Sequence, residues 1–275
     1  MLKLDSKKFP QKSSQPKNNS ATLPKIRLFV KAQFVNGAIL NHKLQIANDD
    51  FNYLVNVMRQ KIDDKIIIFN GVAGDFIATI CEINKKILTL EIKEKIRDLK
   101  PVPNITLAFA PVKNVRIDFI ASKACELGVK NFQPLITQRT IVDKINIERF
   151  EANIKEACEQ CGRNDIAQIL TLKKIETWWR EDLSNKILIL CDESGLGKQA
   201  SELFPQISYC GQEIVIITGP EGGFSPDEFT TLRNLPNCYA LNLGPRILRA
   251  DTAIISALTL VQEFLGDFNL KANFI

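Results

Sequence analysis

Histidine is almost missing from this chain: among 275 residues only His42 carries an imidazole. Acid–base chemistry in the later part of the chain therefore falls to carboxylates, hydroxyls and cations. Long apolar runs are missing too. Segments such as Ile66 to Phe69 and Ile214 to Ile217 are far shorter than the roughly 20 residues of a membrane helix, and the N-terminus has no apolar signal segment. These absences predict a soluble, cytoplasmic protein with no membrane contact. The paired cysteine spacing of a secreted scaffold is also lacking. Seven cysteines, an odd number, are scattered along the chain, which predicts reduced thiols. Cys158 and Cys161 form a C-x-x-C, but inside the helical stretch Ile154 to Arg163, with no second pair and no nearby histidine. That context argues against zinc and against a redox pair, and no metal is expected.

Nucleotide fingerprints are equally thin. No glycine loop ends in the Gly-Lys-Ser/Thr of a phosphate-binding P-loop. Gly195-Leu196-Gly197-Lys198-Gln199-Ala200 has dinucleotide-like spacing, yet the next strand ends at Thr218 where an acidic residue would be needed. It reads as a surface turn.

What is present is bulk and asymmetry. With 45% hydrophobic residues the chain can bury two cores, and its length suits two domains. The first 100 residues carry a net charge of +8 and the remainder −3, which suggests a polyanion such as RNA as partner. Residues 1–23 belong to a Lys, Ser, Gln and Asn-rich tail expected to be disordered.

From Ile26 to Asp98 short alternating segments recur between Asn, Asp and Gly turns, the pattern of a small β-barrel. The spacing of Phe51, Leu54, Val55 and Met58 predicts one helix over Asp49 to Gln60. Pro101-Val102-Pro103 marks a stiff linker. Beyond it strands and helices alternate: Ile105 to Ala110, Val115 to Leu127, Phe132 to Ile136, Ile147 to Cys161, Lys186 to Leu190 and Glu213 to Thr218. Such alternation predicts an α/β unit with a mostly parallel sheet. A final helix after Asp251 carries Ile254, Ala257, Leu258, Val261, Phe264 and Leu265, an apolar stripe suited to the core, with room for part of it to face a second subunit.

Ligands of such sheets settle at the carboxyl ends of the strands. One such end reads ITGPEGGFSPDEF, Ile217 to Phe229. Ser225 offers an N-cap, Pro226 the first helical position and Glu228 the reciprocal member of a capping box. Leu243-Gly244-Pro245-Arg246-Ile247-Leu248-Arg249 repeats the design of strand, Gly-Pro turn and helix. Two such loops predict one pocket.

ITGPEGGFSPDE and LNLGPRILRADTA together resemble the paired C-terminal motifs of the RsmE family, bacterial small-subunit ribosomal RNA uridine-N3 methyltransferases of the SPOUT superfamily. IRLFV, YLVNVMR, IDFIASKACELGV, PLITQRT and EACEQCGR follow the family's order, so the resemblance runs from about Pro24 onward. It implies an α/β protein with an N-terminal PUA-like RNA-binding barrel over residues 24–98, a linker over 99–103 and a SPOUT methyltransferase domain with a C-terminal trefoil knot over 104–275. It further implies a homodimer that uses S-adenosylmethionine on small-subunit ribosomal RNA, within an assembled subunit. The cofactor would be held by Leu190, Thr218, Gly219, Pro220, Glu221, Gly222, Gly223, Leu243, Gly244, Ile247, Leu248, Thr252 and Ala253.

Methylating uracil N3 requires loss of the N3 proton. Arg249, with backbone N–H groups at the last helix start, is expected to stabilise the resulting anion, and Glu221 to accept the proton or, if buried, to order its loop. Asp251 stands where the family has a longer glutamate, and is expected to N-cap the last helix. Arg27, Arg59, Lys113, Arg116, Lys123, Arg139 and Arg163 are expected to contact RNA. Glu156, Gln160 and Arg163 share one helix motif and are expected to close the pocket or a dimer contact. Two other readings remain open from the residues: a related methyltransferase acting on another atom such as a ribose 2′-hydroxyl, and a catalytically silent RNA-binding protein.

Overall fold

The computed structural model describes residues 23–31, 40–112, 114–142 and 144–270; residues 1–22 of the tail lie outside them. Two sheets organise these residues. The first contains β1 (Arg27–Phe29), β2 (Lys43–Ala47), β3 (Lys65–Phe69), β4 (Asp75–Ile83) and β5 (Ile87–Arg97) in the order β1-β3-β4-β5-β2. β1 pairs with β3 in parallel and the other neighbours are antiparallel. Leu44 and Ile46 of β2 enter a core with Leu28, Ile66, Ile80 and Leu90, as a period of two requires. Among the described residues this sheet is open, with β1 and β2 at its edges.

The single helix expected over Asp49 to Gln60 is instead two short pieces, α1 (Asn48–Asn52) and a π turn over Tyr53–Val57. The Met58 N–H donates to the Tyr53 carbonyl, five residues back, at 2.8 Å. That wider turn rotates later side chains off the face they would share in an α-helix. Leu54 is buried, while Val57 and Met58 are exposed. Arg59, at φ 54°, leaves the helical region and ends the segment.

The second sheet contains β6 (Ile105–Phe109), β7 (Asn131–Ile136), β8 (Gln168–Ile169), β9 (Lys173–Lys174), β10 (Lys186–Asp192), β11 (Glu213–Thr218) and β12 (Cys238–Asn242). Its order is β12-β10-β11-β6-β7-β8, with β9 against β7, and every pair is parallel. Its helices are α2 (Asn114–Glu126), α3 (Ile147–Cys161), α4 (Ile175–Trp178), α5 (Ala200–Leu203), α6 (Pro226–Arg233) and α7 (Ala250–Leu265). Ile187, Ile189, Ile214 and Ile216 pack on one face with Ile120 of α2, Ile154 of α3 and Leu258 of α7. Leu188, Leu190, Val215 and Ile217 pack on the other with Trp178 of α4 and Leu232 of α6. Burial on both faces is why these strands read as unbroken apolar runs.

Between β10 and α5, Lys198 lies along the outer edge of β12. Its N–H donates to the Ala240 carbonyl at 3.0 Å and its carbonyl accepts from the Asn242 N–H at 2.9 Å. β10 occupies the inner edge of the same strand. One continuous segment thus flanks β12 on both sides.

The sheets meet through β1, β5 and α3. Asp75 is fully buried and pairs with Arg27 at 3.1 Å and Arg97 at 2.5 Å. Those arginines also donate to the carbonyls of Arg163 and Gly162 just past α3. The Glu159 carboxylate accepts from the Phe29 N–H at 2.9 Å, and Lys155 pairs with Asp50. Asn164 bonds Lys100 N–H and the Asp98 carbonyl, pinning the segment that connects β5 to β6.

Candidate active site

Three loops leave the carboxyl ends of β10, β11 and β12 and enclose one cleft of about 360 Å³, within the size range of small-molecule sites. Thr218 ends β11, and Gly219, Pro220, Glu221 and Gly223 come from the loop after it. Leu243, Gly244, Ile247, Leu248 and Arg249 come from the loop after β12, and Ala253 from α7. Leu190, Gly222 and Thr252, expected in the same site, are not among its lining residues.

The third wall was missed in the sequence. Cys191, Asp192, Glu193, Ser194 and Gly195 line the cleft, so the turn read as a surface feature is part of the site. Its glycine spacing was visible, but it was tested only against a dinucleotide pattern. Burial pushes the Cys191 thiol up to about 12. Asp192 is buried; its Oδ1 accepts from Ser194 N–H and hydroxyl at 2.7 and 2.6 Å, while its Oδ2 has no protein partner. The Thr218 hydroxyl is likewise buried and unpartnered. Buried polar atoms without partners are expensive, and two at adjacent strand ends mark a cleft shaped for a polar ligand.

The glycine loop is firmly held. Ser225 and Glu228 form the reciprocal capping box at the start of α6, with Pro226 following the cap. Glu228 is buried: one oxygen accepts from the Ser225 N–H at 2.9 Å and the other from the Gln138 N–H at 2.8 Å. Arg139 donates to the Gly222 carbonyl at 2.8 Å. The segment after β7 therefore braces the loop, and the glutamate that orders the loop is Glu228; Glu221 is exposed. Gly223 has φ 67°, and a Cβ there would lie 1.9 Å from a Glu193 carboxylate oxygen.

Arg249, exposed at the cleft, is itself the N-cap of α7 and uses no side-chain capping bond. Asp251 sits inside the first turn, so the expected Asp251 cap is corrected. Its carboxylate accepts from the Thr252 N–H at 3.0 Å and lies 3.7 Å from Arg249 Nε.

Among the residues expected to meet RNA, Arg59 is exposed and Lys123 pairs with Glu126 at 2.7 Å. Arg139 is exposed but engaged with Gly222. Arg27 is instead held by Asp75, and the Arg163 side chain is only 7% exposed, pairing with Asp165 at 2.6 Å and donating to the carbonyls of Cys125 and Val129. Both join packed elements, so as folded they are not a free cationic surface. Arg163 also lies apart from the first cleft, as do Glu156 and Gln160, which is a correction to the pocket-closing role. Lys113 lies outside the described residues, as does the side chain of Arg116. Among the described residues no helix is long and apolar enough to cross a membrane, and no group of three or more potential metal ligands forms.

A parallel sheet with glycine loops at its strand ends, preceded by a small β unit, matches two known families. Residues 99–262 match the RNA methyltransferase domain family and residues 46–93 the RNA methyltransferase PUA domain family. The chain belongs to the ribosomal RNA small subunit methyltransferase E family. It is 33% identical to that protein of Rickettsia conorii over 81% of this chain and 90% of the relative, and 35% identical to that of Buchnera aphidicola over 83% and 91%. A Legionella pneumophila methyltransferase solved with bound SAM is 30% identical, with a TM-score of 0.78 over 88% of this chain and 98% of that one.

Proposed function

We propose that this chain uses S-adenosylmethionine to methylate N3 of a uridine in small-subunit ribosomal RNA. The observation that carries the reading is the convergence of three strand-end loops on one cleft with two unpartnered buried polar atoms, Asp192 Oδ2 and Thr218 Oγ1. The names of the relatives support the RNA class, and the SAM-bound neighbours support the cofactor.

The glycine loop, the Leu243 to Leu248 loop and the β10 loop would hold the cofactor, with Thr218 and Asp192 completing their bonds on it. Bound there, S-adenosylmethionine supplies an electrophilic methyl group on a sulfonium. The chain's own part is to prepare the nucleophile. Arg249 at the cleft rim and the free N–H groups of the first turn of α7 favour negative charge on a uracil losing its N3 proton. Exposed Glu221 can take that proton and pass it to water. Positioning then supplies much of the remaining acceleration.

In this reading residues 24–98 form an RNA-binding PUA-like barrel, 99–103 a linker and 104–275 a SPOUT methyltransferase domain in the cytoplasm, acting as a homodimer on an assembled subunit. A trefoil knot is supported by Lys198 and β10 flanking β12 on opposite edges, which places β12 within a loop of earlier chain. An apolar lip beside the cleft, with Ile247 at 92% and Leu196 at 72% exposure, supports a second subunit against it.

The test is to incubate purified protein, labelled cofactor and small subunits lacking the modification, then map the modified nucleotide by mass spectrometry. N3-methyluridine is expected. A ribose 2′-O-methyl product would move the reaction to another atom, and cofactor binding without transfer would favour a silent binder.

A further inference from the structure

Sequence context argues against a redox pair of Cys158 with Cys161, but the fold brings Cys158 to a different thiol. Cys125 stands in the last turn of α2 and Cys158 in α3, and their sulfurs are 3.3 Å apart in a hydrogen bond between two free, buried cysteines. Helix packing has thus done what local sequence spacing could not. A third group completes the set: Arg163 Nη1 lies 3.4 Å from Cys125 Sγ while also holding the carbonyls of Cys125 and Val129. Cys125 and Cys161 line a second cleft of about 200 Å³ where the segment after β5 meets the ends of α2, α3 and α7, with Arg97, Lys100 and Phe268 around it. The methyl-transfer chemistry uses none of these residues.

We propose that Cys125 and Cys158 are a peroxide-sensitive dithiol that closes to a disulfide. The roles follow from the surroundings. With the Cys158 thiol as donor in the shared bond and the Arg163 guanidinium 3.4 Å from the Cys125 sulfur, Cys125 is held below the ordinary thiol range despite its burial. Cys158 is pushed up by donating that bond and by burial. A thiolate is the attacking form, which makes Cys125 the nucleophile and Cys158 the resolving thiol.

In the first step the Cys125 thiolate, its proton released to solvent, displaces hydroxide from hydrogen peroxide; the O–O bond breaks, an S–O bond forms, and the hydroxide takes a proton back from solvent to leave as water. In the second, Cys158 sulfur attacks the Cys125 sulfenic acid, the S–S bond forms, and the expelled hydroxide leaves as water with the Cys158 proton. Two thiols and one peroxide thus give one disulfide and two waters. The sulfurs stand 3.3 Å apart and must close to a bond length of about 2.05 Å. The bridge would fasten the end of α2 to α3, the helix whose Glu159 and following carbonyls hold the N-terminal sheet. It would oppose separation of those elements in the unfolded chain.

The experiment treats the full-length protein with hydrogen peroxide, blocks remaining thiols after denaturation, and maps linked peptides by mass spectrometry. The expected product is a Cys125 to Cys158 linkage, reversed by dithiothreitol and accompanied by a melting temperature several degrees higher. A Cys125 to Cys161 linkage overturns the assignment. So does Cys125 remaining fully alkylated under conditions that consume Cys210, the exposed cysteine. In C158S the attacking thiol should stop at the sulfenic acid and be captured by dimedone. Absence of any dimedone adduct on Cys125 would overturn its role as the nucleophile.

Discussion

Gly223 adopts φ 67° and sits against Glu193, so the residue is required by its own loop before any ligand arrives. Gly223→Ala should impose about 1–2 kcal/mol of left-handed strain and displace Glu193 from the wall of the cleft. The expected result is at least tenfold weaker S-adenosylmethionine binding by calorimetry, with a melting temperature a few degrees lower; unchanged affinity would remove the loop from the site. Arg249 makes a different prediction, because its side chain is largely exposed and only loosely associated with Asp251. If its guanidinium acts on charge that appears during proton loss, Arg249→Ala should slow single-turnover methyl transfer roughly 100-fold while leaving cofactor affinity nearly intact. Lysine should restore part of the rate, since it keeps the charge and loses the planar fork. Parallel losses of binding and rate would instead identify Arg249 as a brace for its loop.

At the level of elements, the joint between β1, β5 and α3 rests on one buried carboxylate. Asp75→Ala leaves Arg27 and Arg97 without their partner, and breaking such a pair from one side should lose about 3–5 kcal/mol, read as a lower urea midpoint. Glu159 adds a pH dependence to the same joint. Burial is the main cause that raises its carboxyl above the ordinary range, against the opposing Phe29 N–H and Lys155. The folded state therefore holds this proton more tightly than the unfolded chain. The contribution is fully present below the ordinary carboxylate value and is lost as pH rises through the raised one. Glu159→Gln, which retains an acceptor for Phe29 N–H, should flatten that part of the stability profile in denaturant titrations at stepped pH. Much of this level was legible: the bounds of α3 and β11, and the capping box of α6, follow from local patterns that the chain itself displays. The π turn was not, since apolar spacing carries no mark of a wider turn. Nor were the positions of Arg27 and Arg163, because an arginine reads as surface until the carboxylate or carbonyl that buries it is placed beside it in space.

For the whole molecule, the apolar lip at Ile247 and Leu196 predicts a dimer at micromolar concentration in equilibrium sedimentation. A charged substitution at the lip, I247E, should shift it toward monomer, and a strict monomer with full activity would remove the dimer from the proposal. The glycine loop and the β12 loop were readable as turns that share one cleft, whereas their union with the β10 loop depends on strand order, which no local pattern encodes. That order has a further consequence in time. The wall formed by Leu243 to Arg249 lies beyond β12, and β12 takes its place between β10 and Lys198. Translation delivers it last. A nascent chain that has just completed α6 already carries the glycine loop and its brace, but no cleft. Truncation before β12 removes that wall, so it should abolish S-adenosylmethionine binding measured by calorimetry, and because it also strips α7 from one face of the parallel sheet it should lower the melting temperature.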